Sequence, residues 1–243
     1  LASACVLSSA ILWPTILYPT LTAALAKKNQ PALPLVRWEE GTPGCTFSHS
    51  NDGKYHYAIW SNDVGVTLTV DSQELEKVRR RHELFFSVLL TVKNRGSATF
   101  DVRPENISLE FLKHYKLVQT PLDPDNFSQK VQNDADEFDH QTAREVQKHP
   151  EQREAKEAYM RTFQKDAAEL LEFIGKSTLK SSRIDSANRE ARGWVLFSTD
   201  SKWIGAWKKQ EDFILRVPLD GKIFEFPFKL PPKQGELLLR QRE

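Results

Sequence analysis

Two apolar, strand-patterned runs stand far apart in this chain, with a charged, helix-patterned stretch between them. Residues 84–94 (Leu-Phe-Phe-Ser-Val-Leu-Leu-Thr-Val-Lys-Asn) are apolar at nearly every position on one face, and the other face carries Phe85 and Leu89. A strand apolar on both faces belongs at the centre of a sheet rather than at its edge. Residues 193–197 (Gly-Trp-Val-Leu-Phe) resume the β pattern about a hundred positions later. A β domain interrupted by helices and then continued is the architecture these runs require.

The flanking segments fill in that plan. Val64, Val66, Leu68 and Val70 alternate as a strand does. Asn51-Asp52-Gly53 and Asp220-Gly221 stand between strand-forming runs and predict hairpins, because glycine accepts the positive φ such turns need. Asn94-Arg95-Gly96-Ser97 is a turn, and Phe100, Val102, Ile107, Leu109 and Phe111 continue the β pattern, with Leu117-Val118 extending it. From Asp123 the period changes to three and four. Val131, Ala135, Phe138, Thr142 and Val146 mark one helix face, with Ser128 expected as the N-cap. Ala155, Tyr159, Phe163, Ala167, Leu170 and Ile174 mark a second, with a break at His149-Pro150 and Gly175 expected to stop the helix. The sum is about eight short strands in two blocks, a mainly β fold that predicts a β-sandwich with an inserted helical hairpin over residues 124–180.

The first 26 residues lack Lys, Arg, Asp, Glu and His and end in Ala24-Leu25-Ala26 before Lys27-Lys28. Small residues at those positions suit a cleaved signal peptide, and the length also suits an N-terminal membrane anchor. Residues 27–44, with three prolines and two glycines, read as an irregular linker onto which Val36 and Trp38 can be tacked. A single domain follows over residues 45–230, and residues 231–243 form a charged tail. Beyond the first 26 residues Cys45 is the one cysteine, so no internal disulfide is expected there, and it reads as a buried strand residue.

Two short motifs carry a resemblance. Val92-Lys93-Asn94-Arg95-Gly96 at the end of the long strand, and the Gly-x-x-x-Phe strand at residues 193–197, resemble bacterial extracytoplasmic immunoglobulin-like domains of unknown function. Residues 45–230 are similar to uncharacterised exported proteins of soil bacteria, acidobacterial ones in particular. The resemblance implies an immunoglobulin-like β-sandwich, an exported location (periplasmic or extracellular) and a binding or structural role. It brings no catalytic residues, and the insertion departs from its pattern.

The chemistry-bearing clusters are few. Thirty-four basic residues against thirty-three acidic ones, a net charge of +1, supply no field for nucleic acid, and none is expected as a partner. Trp203 and Trp207, with Lys208 beside them, sit in a connection between strands and are the expected ligand or partner surface. Arg79, Arg80 and Arg81 form the densest basic run and could meet an acidic surface. Asp134, Asp136, Asp139 and His140 crowd one stretch, yet only Asp136 and His140 share a helix face at a four-residue step. Neither metal nor cofactor is expected. Asp123, Asp125 and Asn126 lack the glycine and closing glutamate of a calcium loop and read as a helix start. There is no nucleophile elbow, phosphate loop or dinucleotide fingerprint. The expectation is a non-catalytic binding or structural module of the bacterial cell envelope, contacting a protein or glycan. A hydrolase using acidic residues in a cleft of the sandwich stays open, because carboxylate pairing is spatial. Contact with a membrane is expected only if residues 1–26 are retained.

Overall fold

Strands outnumber helices among the described residues and set the architecture. The computed structural model describes residues 33–71, 85–113, 117–198 and 211–230. Twelve strands lie within them: β1 (Leu35–Arg37), β2 (Cys45–His49), β3 (Lys54–Ser61), β4 (Val64–Asp71), β5 (Phe85–Asn94), β6 (Phe100–Val102), β7 (Ser108–Phe111), β8 (Val118–Gln119), β9 (Ser182–Ile184), β10 (Glu190–Ser198), β11 (Glu211–Leu219) and β12 (Lys222–Leu230). Two helices, α1 (Pro124–Lys148) and α2 (Arg153–Ser177), form the insertion. One five-stranded sheet, sheet A, has the order β1-β12-β11-β7-β8; the other, sheet B, has the order β10-β5-β4-β3-β2; β6 and β9 make a separate two-stranded ribbon. Every pairing is antiparallel except that of β1 with β12.

The alternation in the sequence sets the faces. Phe86, Val88, Leu90 and Val92 from β5 meet Phe213, Leu215 and Val217 from β11 and Phe224, Phe226 and Phe228 from β12 in one buried cluster shared by both sheets. As its two apolar faces require, β5 is central, flanked by β10 and β4, and its outer face is buried from Phe85 to Leu89 before opening at Thr91 and Lys93. Asp220 and Gly221 both have positive φ, 48° and 68°, the backbone that a two-residue hairpin with the right twist demands.

Four expectations are corrected. The segment 27–44 is not irregular throughout, since Leu35–Arg37 is a strand hydrogen-bonded to β12. The helix cap is Asp123 rather than Ser128. Its carboxylate accepts from Asn126 N at 2.8 Å and Pro124 takes the first helical position, where a missing N–H costs nothing. Gly175 does not stop α2, which runs to Ser177; the chain turns out at Thr178, whose hydroxyl donates to Ile174 O at 2.7 Å. Cys45 is half-buried on an edge strand rather than buried.

The two apolar helix stripes do face each other. Phe138 packs on Phe163 and Tyr159 with ring centroids 4.5 and 5.5 Å apart, and Lys156 pairs with Glu145 at 2.5 Å. The hairpin meets the strands at its base, where Phe127, Val131 and Ile174 join Phe85 and Leu196 in a second buried cluster on the outer face of sheet B. Both roots are tied to the free edge of β10: Leu122 N donates to Leu196 O at 2.8 Å and Leu179 N to Trp194 O at 2.9 Å. The insertion thereby covers an edge strand whose unpaired backbone would otherwise invite another chain.

The β2–β3 turn contains a pH-sensitive pair. Asp52 accepts from Lys54 Nζ at 2.5 Å and from the Ser50 hydroxyl, and these hold its carboxyl down at about 2, against an ordinary value of 3.8. A carboxyl lowered on folding adds stability above its unfolded value, and that contribution fades as pH falls through about 2. Carbon-detected NMR is expected to place the Asp52 midpoint near 2 and to move it toward 3.8 in Lys54→Met. An unmoved midpoint would remove Lys54 as the cause.

Candidate functional site

The site begins with three aromatic side chains that the strand period sends to one side. On β1 and just beyond it, Leu35 and Arg37 point outward while Val36 and Trp38 turn toward the core. Trp38 is fixed by its own N–H, which donates to Glu225 O at 2.8 Å, and by Nε1, which donates to Thr46 O at 3.1 Å. Across the gap between the sheets, Phe47 and Tyr57 are register partners on β2 and β3. The Trp38 ring meets Tyr57 at 5.0 Å and Phe47 at 6.3 Å, and Phe47 meets Tyr57 at 5.1 Å.

These spacings decide what the cluster can do. A cage for a methylated ammonium needs rings spread around an empty centre. Rings whose centroids are 5.0–6.3 Å apart are already in contact, so they form one apolar ledge rather than a cage. The ledge faces a groove of about 540 Å³ between the open edges of the two sheets. Tyr55, Val70, Phe213 and Phe228 line its inner wall; Arg37, Glu40, Asp212 and Lys229 supply charge. Phe47 is 42% exposed, an unusual placement for a large apolar ring.

The polar groups are unevenly committed. Arg37 donates to Glu225 Oε2 at 3.3 Å, and Asp212 pairs with Lys113 at 3.0 Å through Oδ2 while its buried Oδ1 has no hydrogen-bond partner among the described residues. Burial pushes the Tyr57 phenol up, so it remains a neutral hydroxyl at physiological pH. Burial also lowers His56 on the same strand, keeping that ring, which bonds Thr69 Oγ1 at 2.9 Å, largely neutral at pH 7.

Trp203, Trp207, Lys208, Arg79, Arg80 and Arg81 lie outside the described residues. The strands that lead into their segments do share one end of the molecule. Segment 72–84 joins Asp71 to Phe85, segment 199–210 joins Ser198 to Glu211, and Ser198 is the register partner of Phe85. Asp136 accepts from Gln132 Nε2 at 2.9 Å and Asp134 from Lys130 at 2.6 Å, as one-turn pairs on a helix surface do. Among the described residues no group of three or more His, Cys, Asp or Glu is placed to hold a metal ion. Cys45 and His49 lie at opposite ends of β2, about 13 Å apart at the strand rise, too far for His49 to activate the thiol.

The groove escapes a sequence reading because its members come from a lead-in, a hairpin and the last two strands. One signal was present: Tyr55 and Tyr57 stand two apart, with Phe47 before the turn, which puts large rings at period two across the predicted Asp-Gly hairpin.

No family model matches the chain and no curated protein matches it. Among solved structures it is similar to one described as a "putative lipoprotein (ycdA)" from Bacillus subtilis, at 12% identity and a TM-score of 0.33. The match covers 79% of this chain and 40% of that one, so the chain spans less than half the length of that protein. A likeness at that TM-score assigns neither fold family nor activity. Among the described residues no helix is long and apolar enough to cross a membrane.

Proposed function

We propose that this chain is a non-catalytic binding module of the bacterial cell envelope and that its groove takes a glycan. The ledge of Trp38, Phe47 and Tyr57 carries the proposal. A sugar ring has an apolar face of C–H bonds and a rim of hydroxyls. A ledge of touching rings suits the first, and the Tyr57 hydroxyl with Arg37, Glu40, Asp212 and Lys229 suits the second. An envelope location is supported by the uncharged residues 1–26 with their Ala24-Leu25-Ala26 ending. The immunoglobulin-like reading of the two facing sheets belongs to the same proposal, supported by the resemblance of residues 92–96 and 193–197.

Titration with soluble peptidoglycan fragments and with neutral oligosaccharides, followed by tryptophan emission and calorimetry, tests it. Saturable binding is expected with one of the two. Phe47→Ala removes an exposed ring without touching the core and is expected to weaken it about tenfold, the worth of one aromatic contact. Phe47→Ala binding as tightly as the wild type, or no saturation with either glycan, would overturn the glycan reading.

A further inference from the structure

The ladder between β1 and β12 stops before β12 does. The two strands run parallel, with Leu35 beside Ile223, Val36 beside Phe224 and Arg37 beside Glu225. Ile223 N donates to Pro34 O at 2.9 Å, and Trp38 N donates to Glu225 O at 2.8 Å. Alternate residues of a strand send their backbone groups to the same side, so positions 223, 225, 227 and 229 all face the β1 edge. The next donor in that series is position 227. It is proline, which has no N–H to give to Trp38 O. The chain leaves β12 there and turns at residues 40–44. β12 continues to Leu230, paired on its other side with β11. No described strand pairs with its β1 edge beyond Glu225. Pro227 O and Lys229 N–H therefore face an open edge, on either side of Phe228.

That edge borders the groove, since Pro227, Phe228 and Lys229 line it together with Trp38, Phe47 and Tyr57. We propose that the glycan taken by the groove carries a peptide, and that this peptide continues the course of β1 along β12. The inference rests on the glycan reading of the aromatic ledge and names the class of glycan. In a parallel pair, one residue bonds both neighbours of its register partner. A peptide residue set opposite Phe228 donates its N–H to Pro227 O and accepts from Lys229 N–H. The clamp asks for one residue only. An extended backbone is the complement of a bare strand edge, and peptides add to sheets in this way. Pro227 keeps the edge open to a short ligand, because it denies a longer strand the regular ladder. A groove of about 540 Å³ lies within the range that encloses a small ligand, leaving room for a sugar on the ledge and a short peptide on the edge.

The probes are a soluble peptidoglycan fragment, the same fragment after an amidase has removed its peptide, and the free peptide. By calorimetry the intact fragment is expected to bind about tenfold tighter than the stripped one, the worth of one or two backbone hydrogen bonds. Lys229→Pro removes the N–H on the side away from β11 and is expected to bring that ratio to about one. Lys229→Ala removes the same charge, keeps the N–H and is expected to leave the ratio at about ten. Exchange of the Lys229 amide in the unaltered chain is expected to slow with the intact fragment and not with the stripped one, a readout that stands whether or not Lys229→Pro folds. Equal binding of the intact and stripped fragments, or an unslowed Lys229 amide, would overturn the edge contact and leave the glycan reading standing. Free peptide binding as tightly as the intact fragment, or no saturation with any probe, would overturn the glycan reading and this inference with it.

Discussion

Replacing Gly193 with alanine is expected to destabilise the fold by about 3 kcal/mol, at the upper end of overpacking effects. A Cβ on Gly193 would lie 2.4 Å from both Leu179 N and Leu179 Cα, and 2.7 Å from Thr178 C. These are backbone atoms, so no rotamer change relieves the clash. The backbone of residues 178–179 is held there on purpose: Thr178 bridges Trp194, and Leu179 N donates to Trp194 O. Alanine must push the exit of α2 away from β10, breaking that hydrogen bond and loosening the cluster of Ile174, Phe85 and Leu196. Calorimetry should show the thermal midpoint falling by about 6–12 °C for a domain of this size. Gly175→Ala is the contrast. Nothing lies within 4 Å of the added methyl and the position is inside a helix, so the same substitution is expected to stabilise by up to about 1 kcal/mol. Equal effects at the two sites would show that the close approach at Gly193 is not what matters.

Phe213→Ala is expected to cost about 3–5 kcal/mol. The Phe213 side chain links the two sheets. Its ring stacks on Phe86 of sheet B at 6.0 Å and meets Phe111 at 4.9 Å and Phe228 at 5.2 Å within sheet A. At 1% exposure the ring is fully packed, and the paired strands on both sides keep the surroundings from collapsing into the space it leaves. Urea denaturation should show the midpoint falling with the slope unchanged. Because Phe213 also lines the inner wall of the groove, the lost ring would deepen it, so a stable second-site background is needed before glycan affinity is compared. A loss under about 1 kcal/mol would mean that the sheets do not depend on this ring stack.

Much of the fold was legible because its signals are local. The alternation of Val64 to Val70, the doubly apolar run ending at Asn94, and the positive-φ turn at Asp220-Gly221 each name their own conformation. The two helix stripes were legible for the same reason. Helix ends were less so, because several residues near an end can serve. Ser128 had the chemistry of a cap, but Asp123 had that chemistry together with Pro124 behind it, and that pair won. The strand at Leu35–Arg37 was missed because three residues among prolines carry no period; its strand character comes from β12. The motif glycine at position 193 stood in the sequence without a reason, and the approach of Leu179 supplies one.

The candidate site was barely legible. Trp38 reaches Phe47 and Tyr57 only because β1 pairs parallel with β12, far along the chain, while β2 and β3 belong to the opposite sheet. Glu225 likewise acquires its two arginines from strands β1 and β11, a pairing that spacing alone does not indicate.

The sequence by itself determined a mainly β chain interrupted by two amphipathic helices, since hydrophobic period and turn residues act over a few positions and need no partner. Only the tertiary structure decided which strands became neighbours. That choice put three aromatic rings on one ledge and set Arg37 and Arg216 on either side of the buried Glu225, because strand order is set by burial of a shared core and not by any local preference.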